Sequence, residues 1–189
     1  MTEILILSGS EAAGEKLSAL CAMLPDSRVT VLPSGGAGRE AASGNGFRLI
    51  VINSPLQDES GAETAEYLAE NTSSGVLLIL RSEQAEKLGE RMEQLGVAVL
   101  EKPLSKELFF SAARLGMTMK SRLDRLLAEN RALEVRMEET KLVGRAKCVL
   151  IEHLNMTEAQ AHRYIEKQAM DLRISRYEVA RGILSAYEF

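Results

Sequence analysis

The chain has 189 residues, 46% of them hydrophobic and 26% charged, with a formal net charge of −4, a balance that describes a folded globular protein and excludes a disordered one. The lack of Trp and an aromatic content of 4% argue against a large aromatic-lined ligand pocket, and nowhere do eighteen apolar residues run together to cross a membrane. This length suits one domain of roughly 120 residues joined to a smaller one.

Taken in chain order, "MTEILILSGSE" has no basic segment and only four successive apolar residues, so it reads as a first strand, not a signal peptide. A cytoplasmic protein is expected. Short apolar runs then recur: "ILIL" (4 to 7), "VTVL" (29 to 32), "LIVI" (49 to 52), "VLLIL" (76 to 80) and "VAVL" (97 to 100). Runs of this continuous kind suit strands covered on both faces. Between them, Leu17, Leu20, Cys21 and Leu24 form one helical face that Pro25 stops, and Leu88, Met92 and Leu95 form another that Gly96 caps. The second crossover, "PSGGAGREAASGNG", is Gly-rich and predicts a weak helix at best. Cys21 and Cys148 match no disulfide or metal spacing and are expected to be buried thiols. Five strands alternating with helices predict an α/β, flavodoxin-like, doubly wound parallel sheet over residues 1–115. The working residues of such a sheet lie at the carboxyl ends of its strands.

After residue 115 the period changes. Leu123, Asn130 and Met137 alternate with Met119, Leu126, Leu133 and Thr140 in steps of three and four, the a and d positions of a coiled coil over residues 116–142. A lone Asn at an a position fits a parallel homodimer, because two buried amides bond to each other and penalise other registers. The flanking charges help less, since Glu129 would face Glu134 and Arg136 would face Lys141 of a partner. The alternative is a helix packed on its own domain. Thr157 with Gln160, and Ser175 with Glu178, then fit the capping-box pattern of two helix starts. Ala161, Ile165, Ala169, Leu172, Val179, Ile183 and Leu184 are the apolar positions of a compact three-helix bundle over residues 130–189.

Ser8-Gly9, Asn53, Leu80 or Arg81, and Lys102-Pro103 stand just past the strands. With these positions in place, the α/β half resembles the receiver domain of two-component response regulators. That family uses an acidic pair after strand one, a phosphoacceptor Asp after strand three, a Ser or Thr after strand four and a Lys-Pro after strand five. Only Lys102-Pro103 matches. An amide is no useful phosphoryl acceptor, and Ser8 with Gly9 offers little to a hard cation. Asp58 and Glu59 sit in the following loop. The resemblance therefore implies a receiver fold without the aspartyl-phosphate switch, leaving this unit to dock a sensor protein, bind a small ligand or stay constitutively dimeric. Without an acidic cluster to contact, Lys102 reads as a solvated lysine and Pro103 as a turn residue.

Other chemical motifs fail. "GSEAAGEK" places Glu15 and Leu17 where a phosphate loop needs Gly and a hydroxyl, and His153 and His162 have no further ligands at metal spacing. No enzyme chemistry and no cofactor are expected.

From residue 141 onward, eight Lys and Arg face six Asp and Glu, a net of +2, which leaves fifteen against twenty-one, a net of −6, before it. The tail is the part suited to a polyanion. Arg145, Lys147, Arg163, Lys167, Arg173 and Arg176 are the candidates, and Arg163 shares a helical face with Lys167. A solvated face paired with Glu166 and Asp171 is the plainer alternative. The stretch "GRAKCVLIEHLNMTEAQAHRYIEKQAMDLRISRYEVARGIL" resembles the ANTAR domain of AmiR- and NasR-type antitermination regulators. The resemblance rests on Ala146-Lys147 with Leu150, Thr157-Glu158, Ala161, Tyr164-Ile165, Ala169-Met170, Arg173 and Val179-Ala180, and departs at Cys148, where that family has Gly. It implies an RNA-binding protein that grips paired hairpins in leader messenger RNA through a homodimer. Tyr164 would stack a base or serve as packing. A DNA-binding response regulator and a protein-interaction adaptor are the rival readings.

Overall fold

The computed structural model describes residues 1–44 and 46–187, and the chain forms two compact units, Met1–Arg125 and Leu126–Phe189. In the first, strands β1 (Thr2–Ser8), β2 (Ser27–Leu32), β3 (Leu49–Asn53), β4 (Gly75–Arg81) and β5 (Val97–Lys102) alternate with helices α1 (Glu11–Cys21), α2 (Gly35–Gly44), α3 (Ala62–Asn71) and α4 (Ser82–Gln94). The sheet is wholly parallel with strand order β2-β1-β3-β4-β5, the doubly wound arrangement expected. Side chains alternate between two cores. Leu5, Leu7, Ile50, Ile52, Leu78 and Leu80 pack with residues of α2, α3 and α4. Ile4, Ile6, Leu49, Val51, Leu77 and Ile79 pack with α1 and with Phe109 and Ala113. Two-faced burial accounts for the unbroken apolar runs of β1, β3 and β4. The run of β2 is at an edge, where Val31 stays 42% exposed.

The Gly-rich crossover is a regular helix, contrary to expectation, and its support comes from outside itself. The Asp58 carboxylate accepts N–H bonds from Gly35 (2.8 Å) and Gly36 (3.0 Å) at the start of α2, where four backbone donors otherwise lack partners. Glycine also sets how closely α2 approaches the sheet, since a Cβ on Gly38 would lie 2.4 Å from Leu7 Cδ1. Asn45, at the end of this stretch, lies outside the described residues.

Helix α5 (Lys106–Leu154) starts at Ser105, whose hydroxyl accepts the Leu108 N–H (3.1 Å). No break marks residue 115 or 116. Gly116 of α5 meets Gly75 at the start of β4 so closely that a Cβ on Gly75 would sit 2.6 Å from Gly116 carbonyl carbon. Beyond that contact the helix leaves its core: Ser121 and Asp124 keep polar bonds to Arg48 and Ser73, and residues 121–138 are exposed throughout.

In the second unit the end of α5 packs with α6 (Glu158–Leu172) and α7 (Arg176–Tyr187) around Ala146, Val149, Leu150, Ala161, Ile165, Val179, Ala180 and Leu184. Both capping boxes form. Gln160 N–H donates to Thr157 Oγ1 and Thr157 N–H to Gln160 Oε1, while Glu178 N–H donates to Ser175 Oγ and Ser175 N–H to Glu178 Oε2. Two expectations change. Cys148 is exposed, because Ala146, Val149 and Leu150 take the inward positions and point it away; Cys21 is buried, and burial pushes its thiol up to about 12. Leu172, expected inside, is 59% exposed: it keeps the angular register but is the last residue of α6, beyond the cluster. The expected end of the bundle at Phe189, with Glu188, lies outside the described residues.

Candidate functional site

At the carboxyl edge of the sheet, Ser8, Asn53, Ile79 and Leu100 stand in one row across β1, β3, β4 and β5. Asn53 and Ser8 are both nearly buried and bonded to each other, Asn53 Nδ2 donating to Ser8 Oγ (3.1 Å), which donates to Ser10 carbonyl (2.9 Å). Lys102 is drawn into the same edge, but its partner is backbone: Nζ donates to the Ser54 carbonyl oxygen (2.5 Å). Burial, and then the Arg81 guanidinium, hold this lysine below its ordinary pKa. Leu80 belongs to the core beneath α2, α3 and α4, and Arg81 is exposed at the strand end, so neither joins Asn53.

Gly9 explains what the edge can hold. A Cβ there would stand 2.8 Å from the Pro55 carbonyl oxygen, 2.9 Å from Leu56 carbonyl carbon and 3.1 Å from Gln57 nitrogen. The loop after β3 thus covers the space into which a side chain at position 9 would extend. The nearby acids are spent elsewhere. Asp58 caps α2, and the bonds from Gly36 and Gly35 hold its carboxyl below the usual range. Glu59 accepts from Thr64 N–H (3.0 Å) and the Thr64 hydroxyl, and pairs with Arg39 (3.2 Å). Among the described residues no group of three His, Cys, Asp or Glu is placed to hold a metal ion.

The second unit divides the basic candidates. Lys147 Nζ pairs with Glu158 Oε1 (3.0 Å), which lowers the Glu158 pKa, and Arg176 Nη1 reaches Glu166 Oε1 (3.7 Å), an oxygen shared with His162 Nε2 (3.3 Å). Lys147 and Arg176 line a groove of about 730 Å³ together with His162, Tyr177 and Arg136. Arg163, Tyr164 and Lys167 are exposed but lie outside that groove, and no ion pair holds Arg163 or Lys167 among the described residues. Glu166, the plainer alternative's partner for them, is engaged instead by His162 and Arg176. Arg145 is exposed and engaged in an interaction of its own. Arg173 caps α6 in the left-handed region (φ 56°), a conformation that favours glycine. Sequence reasoning missed His162, Tyr177 and Arg136 as groove residues, although Tyr177 adjoins Arg176 and His162 stands one turn before Glu166.

Comparison with known proteins agrees with this division. The ANTAR domain family matches residues 131–184. The chain is 26% identical over 168 residues to the transcriptional regulatory protein PdtaR of Mycobacterium tuberculosis (strains CDC 1551 / Oshkosh and ATCC 25618 / H37Rv), covering 87% of this chain and 82% of the relative. Among solved structures, the signal receiver domain of an HD domain-containing protein from Pseudomonas fluorescens Pf-5 superimposes with a TM-score of 0.59 at 14% identity, covering 66% of this chain and 92% of that one. A response regulator receiver domain from Clostridium thermocellum gives 0.59 at 14% identity, covering 65% and 99%. At such identities the likeness concerns the fold alone. The first unit therefore has a receiver-like fold, and residues 131–184 of the second match the ANTAR domain family.

Proposed function

We propose that this chain is a non-enzymatic transcription antitermination regulator that binds paired hairpins in nascent leader messenger RNA and so prevents a terminator from forming. The observation that supports the reading is the coincidence of the ANTAR match with the folded helical unit that carries exposed Arg163 and Lys167 and the groove bordered by Lys147 and Arg176. The relative's description as a transcriptional regulatory protein points the same way. In physical terms, exposed Arg163 and Lys167 supply charge for a phosphate backbone, with Arg145 and Arg173 exposed on the same unit. Lys147 and Arg176 border a groove of about 730 Å³ that would receive an unstacked base, and Tyr164 or Tyr177 offers a stacking face.

Residues 116–142 act as the dimerisation helix in this reading and residues 130–189 as the RNA-binding bundle. Met119, Leu123, Leu126, Leu133 and Met137 are 42% to 60% exposed in the single chain, an apolar stripe that a second copy would cover. Two tethered bundles suit two hairpins, because the second contact becomes intramolecular.

Residues 1–115 act as a pseudo-receiver. Receiver chemistry requires a divalent cation held by carboxylates and an Asp acceptor, and the donor set here does not fit: Asn53 is bonded to Ser8, position 9 is closed by loop backbone, and Asp58 and Glu59 serve α2 and α3. Control would then come through a docked sensor protein or a bound small molecule.

The test compares gel shifts on an RNA carrying two tandem hairpins with the same sequence as duplex DNA. Preference for RNA is expected, as is loss of binding with Lys147→Ala plus Arg173→Ala, and a salt dependence whose slope falls by about one for each phosphate contact removed. Equal binding to duplex DNA would favour a DNA-binding regulator. Unchanged binding by the variants would favour an adaptor.

A further inference from the structure

The receiver-like unit contains a cavity that the proposed RNA function does not use. It has a volume of about 500 Å³ and opens beside the strand-end row, within the size range of small-molecule sites. Leu17 and Leu20 of α1 and Leu104 of the β5–α5 turn supply its apolar walls, and Asn53, Ile79 and Lys102 lie at its strand-end side. Exposed Lys16 and Lys106 also belong to the lining, so three lysines border one space that no Asp or Glu lines.

We propose that this cavity binds an amphipathic organic anion, an aliphatic or alicyclic body bearing one carboxylate, with the carboxylate on Lys102 and Asn53 and the body along α1.

Each part of the lining selects one property. Lys102 uses one of its three donors on the Ser54 carbonyl, which leaves two for an incoming oxygen. Asn53 donates one amide N–H to Ser8 Oγ, and a primary amide has a second N–H to give. A carboxylate placed there would be paired and hydrogen-bonded, the condition under which a charge enters a low-dielectric site. The pKa of Lys102 is held below its ordinary value first by burial and then by Arg81, and an incoming carboxylate would offset both. Inorganic phosphate satisfies the cations but leaves the leucine walls in contact with water. A neutral apolar molecule covers the walls but leaves Lys102 unpaired. An organic cation meets three like charges.

The inference stands apart from the RNA reading and is tested without RNA. Isothermal titration calorimetry on the full chain would use decanoate below its micellar concentration, with decanol, decyltrimethylammonium and inorganic phosphate as the comparison probes. Decanoate is expected to bind, decanol at least about tenfold more weakly, as the loss of a charge-assisted hydrogen bond requires, and the cation and phosphate not measurably. Lys102→Gln should weaken decanoate about tenfold, and Leu20→Trp, which fills the space, should abolish binding while the circular dichroism spectrum stays unchanged. Should Lys102→Gln fail to fold, the exposed pair Lys16→Ala and Lys106→Ala should weaken decanoate several-fold. Equal affinity for decanol or the cation, or full binding by Leu20→Trp or by the lysine variants, would overturn the proposal.

Discussion

Replacing Gly9 by Ala isolates the closure of the strand edge. The three atoms nearest the added Cβ are all backbone, at 2.8, 2.9 and 3.1 Å, and backbone cannot swing aside as a side chain can. The loop that must give way is held by Leu56 N–H on the Glu59 carbonyl (2.9 Å), Gln57 N–H on the Pro33 carbonyl (3.1 Å) and Lys102 on the Ser54 carbonyl, with Leu56 buried in the core. Overpacking of this kind costs about 1–3 kcal/mol, offset by about 0.4–1 kcal/mol from the stiffer unfolded chain, for a net loss centred on about 1.3 kcal/mol. Gly89 is the control. It lies within α4 and a Cβ there meets nothing within 4 Å, so Gly89→Ala should gain about 0.8–1 kcal/mol from helix propensity. Two identical chemical changes are thus expected to move stability in opposite directions. Native-state hydrogen exchange at the β3 and β4 amides reads this unit directly. If Gly9→Ala proves as stable as Gly89→Ala, the loop does not close position 9, and the steric argument against a carboxylate there fails.

Three further outcomes are expected. Arg173→Gly should raise stability by about 0.5 kcal/mol, relief of the left-handed conformation less the added entropy of glycine, while losing RNA affinity in a gel shift as Arg173→Ala does; full affinity in both would make the side chain idle. Leu126→Glu with Leu133→Glu should give monomers by sedimentation equilibrium, whereas Asn130→Leu should strengthen association but mix oligomeric states; a wild-type monomer at high concentration would remove the coiled coil. The Asp58 carboxyl is depressed by N–H bonds from Gly36 and Gly35, so its support of α2 is complete above the usual aspartate range and disappears as pH falls through the depressed midpoint. The Gly35 and Gly36 amide resonances should titrate together at that midpoint, and in Asp58→Asn they should not titrate.

What could be read from the sequence depended on how local the cause was. The runs of β1, β3 and β4 were legible because burial on both faces leaves no polar position, and both capping boxes were legible because each partner lies three residues away. Helix α2 was not, since its N-terminal partner, Asp58, follows Gly35 by twenty-three residues and Gly38 is explained only by Leu7 across the sheet. The exposure of Cys148 was readable in principle from the inward triplet Ala146, Val149 and Leu150; composition alone suggested burial. At the candidate sites, Asn53, Ser8 and Lys102 were found from their places after strands. The closure of position 9, the pairing of Lys147 with Glu158 and the groove formed with His162 and Tyr177 are products of tertiary folding.

The Asp58 cap also orders events in time. Because α2 is rich in glycine and anchored by a carboxylate from a later loop, it cannot persist until β3 and that loop are in place, so it belongs among the last parts to form and the first to open. Each opening would uncover Leu7 beside an edge strand, a brief invitation to self-association.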